Sequence, residues 1–110
     1  MAKDLGITIL LDVYGQLLTE KQRFAIDMYY NEDLSLAEIA DEIDISRQGI
    51  RDSIKQGEKH LAEYERQLGV VKRFRNISSY LEELNSLLDM AEFQEKEQAK
   101  RILDEIAKEI

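Results

Sequence analysis

Residues 35–56 read SLAEIADEIDISRQGIRDSIKQ. Ser35 with Glu38 three positions later is a capping box. The hydroxyl accepts an amide of the first turn, and the carboxylate reaches back to the cap's own N–H. A helix therefore opens at Leu36 and runs to about Ile43, with Leu36, Ile39, Ala40 and Ile43 on one apolar stripe. Asp44 then stands at a tight turn. Aspartate tolerates left-handed backbone better than most residues, though less readily than glycine. Ser46 caps a further start, and a helical pattern continues to about Leu68 with Ile50, Ile54, Leu61 and Leu68 on its stripe. A small residue where two helices cross, a turn residue suited to positive φ and isoleucines flanking the joint are what a helix-turn-helix requires. Ala40, Asp44 and the set Ile43, Ile45, Ile50 and Ile54 supply them.

With those isoleucines inward, helix geometry turns Arg47, Gln48, Arg51, Asp52 and Lys55 outward. Arginine and glutamine carry the forked donors and acceptors that suit guanine and adenine edges. Ser46, at a helix N-terminus, is placed to offer its hydroxyl and nearby amides to a phosphate. The candidate DNA-binding residues are therefore Ser46, Arg47, Gln48, Arg51 and Lys55. Gly49 interrupts this helix at a cost of about 1 kcal/mol relative to alanine. Close approach of DNA or of a neighbouring helix would account for it.

Outward from this stretch the pattern stays helical. Residues 3–14 form a first helix with Leu5, Ile9 and Val13 four apart, and Gly15 stops it. Thr19 and Gln22 form another capping box, with Leu18 before the cap as a hydrophobic staple. The helix they open runs to about Tyr30 and turns Ala25, Ile26 and Tyr29 inward. Gly69 ends the long helix that begins at Arg47. Residues 70–90 carry Phe74, Ile77, Leu81, Leu84 and Leu88 in steps of three and four, an a/d seam. A last helix covers about 94–110, with Ala99, Ile102, Leu103, Ile106 and Ile110 inward. The long seams are buried either in a hairpin around Gly69 or across a two-fold interface. The expected organisation is an N-terminal helical and helix-turn-helix part, 1–69, and C-terminal helices for packing or dimerisation, 70–110, in one compact domain.

The bulk numbers agree with an all-α chain. The 110 residues are 44% hydrophobic and 35% charged, with no proline, five glycines and no cysteine. Helices go uninterrupted, and disulfides and thiolate metal sites are excluded. No signal-like start and no membrane-spanning run is seen, so a reduced cytoplasmic protein without membrane insertion is expected. The net charge of −8 is the wrong sign for a nucleic-acid binder. It is unevenly spread: residues 1–34 carry 3 basic and 6 acidic groups, 35–81 carry 8 and 8, and 82–110 carry 4 and 9. Lys72, Arg73 and Arg75 are the densest basic cluster, read as a solvated patch or a phosphate contact. The lone His60 has no partner at metal-ligand spacing. There is no Gly-rich phosphate loop, no nucleophile–base set and no EF-hand spacing. No cofactor, metal or catalytic activity is expected.

The stretch 18–61, LTEKQRFAIDMYYNEDLSLAEIADEIDISRQGIRDSIKQGEKHL, resembles region 4 of bacterial sigma factors. LLDVYGQLLTEKQ, MYYNEDLSLAEIA, ISRQGI and KQGEKHLAEYE are together similar to the YlxM family of helix-turn-helix proteins, from about residue 8 to 90. Gly49 stands where that family more usually has alanine or threonine. The resemblance implies an all-helical homodimer, linked to the signal recognition particle and regulating that secretion pathway. Two functions are therefore expected to compete. One is a dimeric DNA-binding regulator. The other is a protein- or RNA-interaction module of the secretion machinery that does not bind DNA, favoured by the acidic balance.

Overall fold

The computed structural model describes residues 3–4 and 6–110. Among these described residues there are six helices: α1 (Gly6–Tyr14), α2 (Glu20–Tyr30), α3 (Leu36–Ile43), α4 (Arg47–Leu68), α5 (Val70–Met90) and α6 (Lys96–Lys108). A single 3₁₀ turn, Gly15–Leu17, follows α1. No strand occurs among the described residues. The chain divides into two compact units, 1–71 and 72–110.

Local chemistry sets most helix starts in the first unit. Both capping boxes form. The Thr19 hydroxyl accepts from the Gln22 amide at 3.1 Å, and the Gln22 side chain accepts from the Thr19 amide at 3.3 Å. Ser35 and Glu38 make the same reciprocal pair at 3.1 Å each way. Leu18 is buried as a staple requires. α1 opens at Gly6, whose amide donates to the Asp4 carboxylate at 2.9 Å. Its buried residues are Ile7, Leu11 and Tyr14, whereas Ile9 of the expected stripe is 41% exposed. GITILLDVY is apolar nearly all round, so periodicity does not choose its inner face; packing does. Leu5 of that stripe lies outside the described residues.

The first unit's core gathers around α4. Ile26 of α2, Ile39 of α3 and Ile50, Ile54 and Leu61 of α4 are fully buried. Gly57 occupies the gap in the α4 stripe between Ile54 and Leu61. A Cβ there would lie 2.4 Å from Ile26 Cδ1, so the missing side chain sets how closely α2 crosses α4. Leu68, expected inward, is 50% exposed. Glu65 turns towards α1 instead: the Tyr14 hydroxyl donates to its carboxylate at 2.6 Å. The Val70 amide donates to the Tyr14 oxygen and the Val71 amide to Glu65 Oε1. Two N–H groups that the first turn of α5 leaves without helical partners are thereby satisfied. Burial, then the Glu65 contact, pushes the Tyr14 phenol above its ordinary value. Tyr30 donates to Glu58 at 2.6 Å, and burial with that contact raises it to about 12.

The second unit is α5 beyond Val71 together with α6. Lys100 pairs with the Asp89 carboxylate, and Lys96 donates to the Asp89 carbonyl at 3.2 Å. These contacts tie the connection between the two helices. Leu103 is buried, and Ile77, Leu81, Leu88 and Ala99 are half-buried. Phe74 and Leu84 of the expected seam stay exposed, as do Ile102, Ile106 and Ile110. An amphipathic hairpin has two apolar faces, and each helix covers only part of the other's. No helix among the described residues is long and apolar enough to cross a membrane.

Candidate nucleic-acid interface

The joint between α3 and α4 is fixed by one carbonyl and one left-handed residue. Asp44 takes φ 52 and ψ 48, and its amide donates to the Ala40 carbonyl. The Ile45 amide donates to the same oxygen at 3.2 Å. Ala40 is buried, so α4 crosses close to it. Ser46 then returns to extended backbone and caps α4, its Oγ accepting the Gly49 amide at 3.0 Å. Gly49 answers to this joint. A Cβ there would lie 2.7 Å from Ile45 Cγ2 and 3.2 Å from Ser46 Oγ. The close neighbour is the turn's own isoleucine.

Ile50 and Ile54 are fully buried beneath α4, and Ser46, Arg47, Gln48, Arg51, Asp52 and Lys55 are all exposed. Arg47, Arg51 and Lys55 stand four apart, one above another on the helix surface. Among the described residues no carboxylate makes an ion pair with any of them. Gln48 is held differently. Its Nε2 donates to Asp52 Oδ1 at 2.9 Å, which restrains the amide. The Ser46 oxygen is engaged as a cap, so its phosphate-facing capacity is its hydroxyl proton and the helix N-terminus behind it.

Fixed cations on a rigid helix suit an anionic surface with a groove wide enough to admit a helix. The rest of the motif is acidic. α3 exposes Glu38, Asp41 and Glu42, which with Leu34 line a concavity of about 450 Å³. On the other flank a groove of about 510 Å³ is lined by Glu20, Lys21, Phe24, Ile43 and Ile45. Helical periodicity passes over Phe24, because it lies off the inner stripe of α2. The signal available was an aromatic residue on an outward position, and it is 46% exposed.

His60 is half-buried and meets Tyr64 edge-on, with ring centroids 6.4 Å apart. No group of three or more metal-ligating side chains converges among the described residues. Lys72, Arg73 and Arg75 are exposed in the second unit.

A family model described as "Putative helix-turn-helix protein, YlxM / p13 like" matches residues 1–108. The chain belongs to this family, UPF0122. Among similar curated proteins, a UPF0122 protein of Thermoanaerobacter sp. (strain X514) is 42% identical over 107 residues, 96% of this chain and 92% of the relative. One from Shouchella clausii (strain KSM-K16) is 43% identical over 106 residues, 96% and 95% of the two chains. One from Halalkalibacterium halodurans is 45% identical over 87 residues, 79% and 80%. The all-α helix-turn-helix reading and the family resemblance drawn from the sequence both stand.

Proposed function

We propose that the chain is a non-enzymatic regulatory protein that binds duplex DNA through the first turns of α4, with Ser46, Arg47, Gln48, Arg51 and Lys55 at the contact. The observation that carries this reading is the row Arg47, Arg51 and Lys55, exposed above fully buried Ile50 and Ile54 and without an ion pair among the described residues. It answers the objection from net charge. Residues 46–56 hold three cations against Asp52 alone, so phosphate attraction is concentrated where the helix enters the groove. Selection of bound fragments from fragmented genomic DNA, followed by titration of the enriched duplex, tests it. Arg47→Ala and Arg51→Ala should each weaken binding by about 1–3 kcal/mol without unfolding the protein. Variants that bind as the parent does would end this reading.

Self-association belongs to the same proposal. The apolar faces that α5 and α6 leave exposed, Tyr80, Leu84, Leu87 and Met90 among them, support a homodimer through the second unit. A dimer would present two recognition helices to two half-sites. Sedimentation at increasing concentration tests it: a mass that stays monomeric rejects it.

A second reading has its own observation. In a docked helix-turn-helix the first helix crosses the DNA backbone, and here that helix exposes Glu38, Asp41 and Glu42. Carboxylates repel phosphates there. This favours a module that binds protein or an RNA–protein particle, and the resemblance to YlxM proteins points to the cytoplasmic signal recognition particle pathway. The absence of a duplex shift at moderate salt, with a stable complex formed on addition of that particle, would select this reading over the first.

A further inference from the structure

We propose that Asp52, paired with Gln48, determines specificity at one base pair: together they accept from a major-groove amino group, on adenine or cytosine. This deepens the first reading, on which it rests, and gives a role to the one acid of the recognition face.

Two rows run along the exposed face of α4. Arg47, Arg51 and Lys55 stand four apart in one, and Gln48 and Asp52, each the next residue on, form the other. All five side chains are exposed. In the second row Gln48 Nε2 donates to Asp52 Oδ1 at 2.9 Å. Neither Arg51 nor Lys55 takes the Asp52 carboxylate in an ion pair among the described residues. The acid is therefore turned to a neutral partner and not neutralised by its cationic neighbours.

An ionised carboxylate only accepts hydrogen bonds. It draws the nitrogen end of the Gln48 amide to itself and occupies one of the two amide hydrogens. What the pair has left is the Gln48 Oε1, one amide hydrogen and the remaining lone pairs of the carboxylate. Acceptors outnumber donors.

That inventory selects a target. Phosphates repel a carboxylate, and so do the oxo groups of guanine and thymine. The donors that base edges offer in the major groove are the amino groups of adenine and cytosine. Where α4 enters the groove, Asp52 is satisfied against one of these and faces a lone pair on either alternative. The arginines of the first row have the opposite preference, since a guanidinium only donates. The face thus divides into a cationic row for phosphate and guanine and an accepting row for an amino base. The same negative charge that sharpens this choice weakens attraction to any duplex.

The test uses the duplex enriched from genomic fragments. In a set of derivatives, one adenine or cytosine at a time is replaced by the analogue lacking only its exocyclic amino group. For the parent, one such replacement should weaken binding by about tenfold. Asp52→Ala should bind that derivative and the enriched duplex equally, and Gln48→Ala should discriminate less than the parent. Asp52→Ala should also bind an unrelated duplex about threefold more tightly, because one screened repelling charge has gone. Loss of discrimination with a gain in general affinity is a pairing that a purely structural role for Asp52 does not produce. Asp52→Ala with the parent's preference, or with weaker binding to all duplexes alike, would overturn the proposal while Arg47 and Arg51 still carry the first reading. A parent that enriches no duplex would overturn both.

Discussion

The two units handle apolar surface in opposite ways. Residues 3–71 wrap three helices around α4 and close a core in which Ile26, Ile39, Ile50, Ile54 and Leu61 see no solvent. In residues 72–110 Leu103 is the one buried apolar side chain among those described, while Tyr80, Leu84, Leu87, Met90 and Ile102 are exposed. Both are amphipathic and helical, so amphipathicity alone does not make a core. A central helix contacted on several sides does, whereas a two-helix hairpin has too little interior to cover its own stripes. The first unit can hold a rigid surface. The second offers apolar faces suited to association.

The contrast is sharpest under truncation. Ile54→Ala should destabilise the chain by about 2–5 kcal/mol, read as a lower urea midpoint. Leu87→Ala, at a residue 59% exposed, should change it by no more than about 0.5 kcal/mol in dilute protein. Equal losses would erase the distinction. Gly57→Ala comes next. It improves helix propensity yet places a methyl 2.4 Å from Cδ1 of the fully buried Ile26, so one of the two must move. A net loss of about 1–3 kcal/mol is expected by thermal melting, and stabilisation would show that α2 shifts at little cost.

How much of this was legible beforehand follows from what is local. The capping boxes at Thr19 and Ser35, the left-handed Asp44, the Ser46 cap and the Gly69 stop are settled within a turn of chain, and their signals could be read directly. Non-local features were not. The choice of Ile7 and Leu11 over Ile9, of Glu65 over Leu68, and the pairing of Tyr14 with Glu65, 51 positions away, depend on which helices meet. The outward row of Arg47, Arg51 and Lys55 was legible because buried isoleucines dictate it. The Phe24 groove was not, since it forms only when α2 and the turn come together. Gly57 was not singled out either, because its role depends on the approach of Ile26 from α2.

Smaller effects probe the same local devices. Ser35→Ala should cost about 1 kcal/mol through the lost cap, with hydrogen exchange quickening first at the start of α3. A global loss several times larger would mean that Ser35 supports more than one helix end. Tyr30 gives the weakest signal. Its phenol is raised from its ordinary value to about 12 in the folded chain. The folded state then holds this proton more tightly, so the contribution is intact below the ordinary phenol range and is lost as pH climbs towards about 12. Alkaline melting should show that loss in the parent and less of it in Tyr30→Phe. Identical profiles would place the alkaline sensitivity elsewhere, with Tyr14 the first candidate.

The ridge on α4 is the claim on which the functional account depends. Its most direct test is the salt dependence of affinity for a selected duplex, measured for the parent and for Arg47→Ala, Arg51→Ala and Lys55→Ala combined. Three lost phosphate or groove cations should make the slope of log affinity against log salt shallower by about 2 to 3, with weaker binding at low salt. A combined variant that matches the parent in affinity and slope would contradict the account.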